Sequence, residues 1–170
     1  ITNISEAHFK NFNTLKDIAR AKAEIIDNIL EHGNIILNKD DKFFSFLSNC
    51  ARKKGINVIS FSCRKKADIF LLESKKIRNH YRLKIKVKNK NFYFNTTYAT
   101  DNFLSNTLAC ISVLFTLNLN LINMKNKFIN FVIPNGRGDI KEVKKFKKKF
   151  KFIDESYNAN PLSMKSAIKN

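Results

Sequence analysis

The chain has 170 residues, a hydrophobic fraction of 44% and a formal net charge of +18. That composition supports a packed core and excludes a disordered chain, and the length suits one domain, or one domain with part of a second. No apolar stretch reaches the length of a membrane span, no signal-peptide pattern is present, and the charge stands beside no zinc-finger, RNP-like or helix-turn-helix pattern.

Ile1–Ile4 reads as the end of a buried strand, and Ser5-Glu6-Ala7-His8 as the polar turn leaving it. The chain thus opens inside an apolar run and on Ile rather than Met, so we expect an excerpt whose upstream side supplies neighbouring strands. Thr14 can cap a helix from Leu15 to about Glu31, with Leu15, Ile18, Ala19, Ile25, Ile26 and Leu30 on helical spacing and Gly33 as its left-handed stop. Ile35–Leu37 and Asn57–Phe61 read as short buried strands. Between them a helix starts at Asp40 or Asp41 and runs to about Lys54. This alternation is that of a parallel α/β sheet.

The middle of the chain changes character. Ala67–Glu73, Tyr81–Lys88 and Phe92–Tyr98 are β-rich, and Leu83, Ile85 and Val87 alternate with Lys84, Lys86 and Lys88. Period two with one charged face is the pattern of a half-exposed antiparallel strand. A helix follows from about Asn102 to Leu117, then a turn and short helix over Leu117–Lys127. Pro134-Asn135-Gly136-Arg137-Gly138 is a breaker cluster, where we place a domain boundary. Beyond it come a strand, a basic turn, a strand ending near Ile153, and a helix over Ser163–Ile168.

Several residues could carry chemistry. Asp154 to Met164 crowds two acids, a phenol and amides into a strand-to-helix turn, where polar groups can converge on a ligand or simply cap the helix. His8, two residues from Glu6, could orient a divalent cation or be a surface histidine. Lys22 lies among small residues that leave room for a second group, or is an ordinary solvated lysine. Asn102 and Asn106 are four apart, so both amides can point to one side of a helix; Asn102 as a plain cap is the simpler account. Arg137, between two glycines, is either open to an anion or part of a linker. Cys50, Cys63 and Cys110 have no ligand spacing and read as small apolar residues of a reduced compartment, the cytoplasm. The excess charge is spread along the chain as Lys, accompanied by Asn, Ile and Phe; AT-rich codons favour all four, so nucleic acid is not an expected partner.

Taken in order, these pieces resemble the Mur ligases of peptidoglycan synthesis, and among them the MurF type. The resemblance rests on Ile1–His8 with Ala19–Ile25, Ile36–Asp41, Asn102 with Asn106, Gly136-Arg137-Gly138 and Asp154–Met164. It implies an α/β fold: part of a central ATP-binding domain over residues 1–134, with a parallel sheet and a small antiparallel subsheet. The start of a Rossmann-like C-terminal ligase domain follows over 135–170. It further implies an ADP-forming amide ligase, monomeric when complete, using ATP and Mg2+ to join D-alanyl-D-alanine to UDP-N-acetylmuramoyl-tripeptide. In that scheme His8 and a carbamylated Lys22 support the second magnesium ion. Asn102 and Asn106 lie near adenine, and Arg137, Glu155, Tyr157, Asn158 and Asn160 contact ATP. Two positions depart from the family pattern: Asp101 where His is usual, and Glu155 where Asp is usual. The family's phosphate loop has no counterpart in these residues, so the chain alone is expected to be catalytically incomplete. The alternatives are another ligase of the superfamily, such as a folate polyglutamate synthase, and a non-enzymatic basic α/β binding module.

Overall fold

The structure, a computed structural model, describes residues 1–5, 12–145, 147–157 and 161–169. The chain divides into two compact units, whose described residues end at Phe131 in the first and begin at Val132 in the second.

In the first unit, Thr14 and Asp17 form the reciprocal capping pair that starts α1 (Leu15–Ala23). The helix then tightens into a 3-10 turn, Glu24–Asn28, instead of continuing to Glu31. The tighter winding buries Ile26 and leaves Ile25 and Leu30 exposed, so the expected apolar face is shorter than its spacing suggested. The left-handed residue that follows is His32, at φ 59°, rather than Gly33. Gly33 is required for space instead: a Cβ there would lie 2.6 Å from Ile29 Cγ2.

β1 (Asn34–Asn38), α2 (Phe44–Lys53) and β2 (Asn57–Ser62) follow, with β1 and β2 parallel. No regular strand extends over Ile1–Ile4, but Ile1 pairs with β1 as the end of a strand does, its N donating to Ile36 O at 2.7 Å. Asn38 N donates to Ile1 O at 3.4 Å, but Ile4 N turns away to Asp41 Oδ2 at 2.7 Å. Nor do Asp40 and Asp41 cap α2 with their side chains, whose first flanking residue, Phe43, makes no side-chain cap. Their carboxylates accept from Phe43 N and from the β2 end instead.

β3 (Ile69–Ile77), β4 (His80–Val87) and β5 (Lys90–Thr96) complete a mixed sheet in the order β1-β2-β3-β4-β5. The antiparallel part matches the period-two reading, with Leu83, Ile85 and Val87 buried. β2 and β3 are parallel but share only two register pairs, Phe61 with Ile69 and Ser62 with Phe70. A connection this short cannot carry the chain back to the start of β2, as a full parallel crossover would.

α3 (Asp101–Thr116) covers one face of the sheet through Leu104, Leu108 and Ile111, packed with Phe61, Ile85 and Phe94. Each such side chain contributes about 1.5–3 kcal/mol by leaving water. α1 and α2 form a second core on the other face, with Ile35, Leu37 and Ile56. β1 is therefore covered on both sides, as an all-apolar run requires. Residues 121–130 form consecutive turns rather than the expected short helix, with Leu121 anchored in the α3 core. No helix among the described residues is long and apolar enough to cross a membrane.

The second unit contains β6 (Asp139–Lys145) and β7 (Lys148–Asp154), an antiparallel hairpin, and α4 (Pro161–Lys169). Both strands and the last helix lie where the sequence placed them.

The weakly overlapped β2–β3 junction is reinforced by Asp68. Its carboxylate accepts from Ser60 N at 2.8 Å, Ser60 Oγ at 2.6 Å and Lys88 Nζ at 2.6 Å. Burial raises the Asp68 pKa, but the bonds from Lys88 and Ser60 outweigh it and leave it below the usual value. A depressed carboxylate stabilises the fold above its unfolded pKa, about 4, and the contribution is lost as pH falls through the folded value. Asp68→Ala is expected to cost about 1–3 kcal/mol in urea unfolding at pH 7 and less at pH 3. An equal cost at both pH values would contradict this role.

Candidate functional site

The register of the β6–β7 hairpin pairs Asp139 with Asp154, which lays Gly136-Arg137-Gly138 alongside Asp154–Tyr157. Gly138 N donates to Asp154 O at 2.7 Å, and Tyr157 N donates to Gly136 O at 3.0 Å. Both glycines have positive φ, +74° at Gly136 and +91° at Gly138. Gly136 leaves no room for a side chain, since a Cβ there would sit 2.9 Å from Tyr157 N; at Gly138 a Cβ would sit 3.0 Å from Glu155 Oε1, and the positive φ is the stronger demand for glycine. The glycines thus let two segments distant in sequence close on each other.

The closure brings Arg137, Glu155 and Tyr157 together. The Arg137 guanidinium lies 4.0 Å from the Tyr157 ring centroid, a cation–π contact that holds a mobile side chain in one direction while both groups stay exposed. Beside them the Asp154 carboxylate accepts from Ser156 Oγ at 2.6 Å and Ser156 N at 3.1 Å. The hydroxyl bond first, then the amide bond, keeps its pKa below the usual value. The arrangement can pair a guanidinium with a phosphate and offer the Glu155 carboxylate to hydroxyl donors. Asn158 and Asn160 lie outside the described residues, so the predicted motif is seen as far as Tyr157.

In the first unit, Asn102 and Asn106 sit one turn apart at the start of α3, both exposed. The cap is Thr100, whose hydroxyl accepts from Phe103 N, so Asn102 is not needed for capping. Asp101, in the same first turn, pairs with Arg64 Nη2 at 3.2 Å. The pair is exposed and adds little stability, yet it places a cation against the one carboxylate beside the two amides.

Arg64 belongs to a loop the sequence did not single out. Asp40 accepts from Ser62 Oγ and Cys63 N, both at 2.7 Å, and Ser62 Oγ accepts from Arg64 N and Lys65 N. Asp40 and Ser62 lie far apart in sequence, so no local spacing signals the clamp. Cys63, packed against the α3 core, has its thiol pushed up to about 11, by burial first and then by Asp40 and Asp101.

Lys22 is exposed on α1, and its Nζ donates to Asn3 O at 3.1 Å. It stands on α1, whose buried residues belong to the α1–α2 core, whereas Asn102 and Asn106 stand on α3, which packs on the other face of the sheet. His8 lies outside the described residues. Among the described residues no three His, Cys, Asp or Glu side chains converge to hold a metal ion.

A sequence profile described as the Mur ligase middle domain matches residues 1–114. The chain belongs to the Mur ligase family. Two curated relatives carry the name UDP-N-acetylmuramoyl-tripeptide–D-alanyl-D-alanine ligase. That of Rickettsia prowazekii is 27% identical over 169 residues, covering 99% of this chain and 37% of the relative. That of Buchnera aphidicola subsp. Baizongia pistaciae is 30% identical over 170 residues, covering 99% of this chain and 36% of the relative. Among solved structures, MurF from Acinetobacter baumannii superposes with a TM-score of 0.84 at 25% identity, over 99% of this chain and 36% of that one. The chain therefore spans little more than a third of the length of the Mur ligases it matches.

The glycine contacts give a direct test. Gly136→Ala places a Cβ against Tyr157 N at a positive φ, a strain of about 1–3 kcal/mol. Amide hydrogen exchange across β6–β7 is expected to speed up roughly 5- to 150-fold. Unchanged exchange would show that the two segments are not locked through this glycine.

Proposed function

We propose that this chain is part of a MurF-type ligase, joining D-alanyl-D-alanine to UDP-N-acetylmuramoyl-tripeptide with ATP through an acyl phosphate, in the cytoplasm. Residues 1–134 belong to the ATP-binding central domain, and 135–170 open a Rossmann-like C-terminal domain. The observation that carries the reading is the convergence of Arg137, Glu155 and Tyr157 out of two motifs that stand in the MurF order. The relatives named above supply the substrate class.

Asn102 and Asn106 offer amide donors and acceptors to the edge of adenine, and Arg64 screens the Asp101 carboxylate beside them. Arg137 meets the phosphate charge, and Glu155 accepts from ribose hydroxyls; Asn158 and Asn160 complete that set. Glu155 Oε1 lies beside Gly138, which has no side chain to crowd the longer arm.

Magnesium supplies charge neutralisation in phosphoryl transfer. The described residues do not form its site by themselves. Lys22 is a hydrogen-bond donor as a free amine, and would support a metal only as a carbamate, together with His8. No Gly-x-x-x-x-Gly-Lys-Ser/Thr loop occurs among the 170 residues, so the positioning of the transferred phosphate falls to groups these residues do not provide.

Titration of the 15N-labelled chain with ATP is expected to shift the side-chain amides of Asn102 and Asn106 and the Arg137 guanidinium saturably. Phosphate release in the presence of both acceptor substrates is expected to stay at background. Robust turnover, or shifts confined to lysines, would sink the reading.

A further inference from the structure

β5 is the outer strand of the five-stranded sheet, and only part of its edge is covered. Asn95 N donates away from the sheet to Lys125 O at 2.7 Å, and the Asn95 side-chain amide donates to Asn126 Oδ1 at 2.7 Å. Backbone groups alternate in direction along a strand, so Asn91 and Tyr93 present their N–H and C=O on this same edge. The turn segment that bonds Asn95 makes no hydrogen bond to Asn91 or Tyr93, although its Ile122 and Lys125 line a cavity with them.

Cavities lie on both sides of this open stretch. One of about 290 Å3, on the outer face, is lined by Arg82, Tyr93 and Lys125. The other, of about 470 Å3, faces the α3 core through Val87, Phe115 and Leu121. Phe92 and Ile122 line both, so the two cavities meet at the strand edge.

The charge around them has one sign. Arg82, Lys90 and Lys125 line the cavities, and neither is lined by any Asp or Glu among the described residues. Lys88 also lines the larger cavity, but its charge is paired with Asp68. A second copy of the chain would set the same cations opposite one another, which disfavours self-pairing.

An added strand alternates its side chains between the two faces of a sheet. On this edge one face offers an open, mainly apolar groove with Val87, Phe92, Phe115 and Leu121 in its lining, and the other carries Arg82 and Lys125. We propose that the β5 edge docks an extended segment of a partner protein in which apolar and acidic residues alternate. Its backbone pairs with Asn91 and Tyr93, its apolar side chains enter the larger cavity, and its carboxylates meet Arg82 and Lys125. The site shares no residue with those proposed to bind the nucleotide and does not depend on the ligase reading.

The probe is acetyl-(Leu-Glu)4-amide, titrated into the 15N-labelled 170-residue chain. Slowed amide exchange at Asn91 and Tyr93 is expected, with affinity falling at least about tenfold in the R82E/K125E double variant. The same peptide N-methylated at alternate residues, which cannot pair with a strand, is expected not to bind. Three results would overturn the proposal: no protection at Asn91 and Tyr93, equal binding by the N-methylated peptide, or equal binding by an octaglutamate peptide. If the double variant unfolds, the wild-type comparison of the three peptides still decides.

Discussion

The first unit depends on a single carboxylate at the seam of its sheet. β1 and β2 belong to a parallel, doubly covered layer, while β3, β4 and β5 form an antiparallel layer with one charged face. Only two register pairs join the layers directly. Asp68 adds bonds to Ser60 on β2 and to Lys88 at the β4–β5 turn, so one side chain ties both layers at the point where strand direction reverses. α3 packs across the same seam through Leu104, Leu108 and Ile111. Placement of the Asn102 and Asn106 turn therefore follows from the seam being closed.

The second unit solves a different problem, that of presenting a cation without burying it. A lone exposed arginine samples many rotamers, and ordering it costs entropy on every binding event. Stacking on Tyr157 removes part of that cost in advance, and the positive-φ glycines bring the two segments close enough for the stack to form. Glu155 on the same loop supplies the opposite charge within reach, a mix suited to a ligand that carries both phosphates and hydroxyls.

Much of this was legible in the chain. The all-apolar Ile35–Leu37 run and the Leu83, Ile85, Val87 alternation report burial on two faces and on one, and periodicity carries that distinction directly. Local chemistry also marked Thr14 as a cap, the glycines around Arg137 and the final turn. What failed were readings that depend on partners remote in sequence. Asp41 splits its carboxylate between the entry to α2, through Phe43 N, and the remote Ile4 N, and the second bond removes the amide that a strand continuing to Ile4 would need. The long first helix was overextended because helical spacing does not register a change of winding at Glu24. Asp40–Ser62 and Arg64–Asp101, which hold the loop beside the amide pair, left no local trace. The approach of Arg137 to Tyr157 needed a strand register that sequence leaves open.

The most direct test of the ligase reading is photoaffinity labelling of the intact chain with 8-azido-ATP, the modified residues being mapped by mass spectrometry. Label in the segments holding Asn102–Asn106 and Arg137–Tyr157, suppressed by excess ATP, is the expected result. Label scattered over the lysine-rich surface and undiminished by ATP would contradict it.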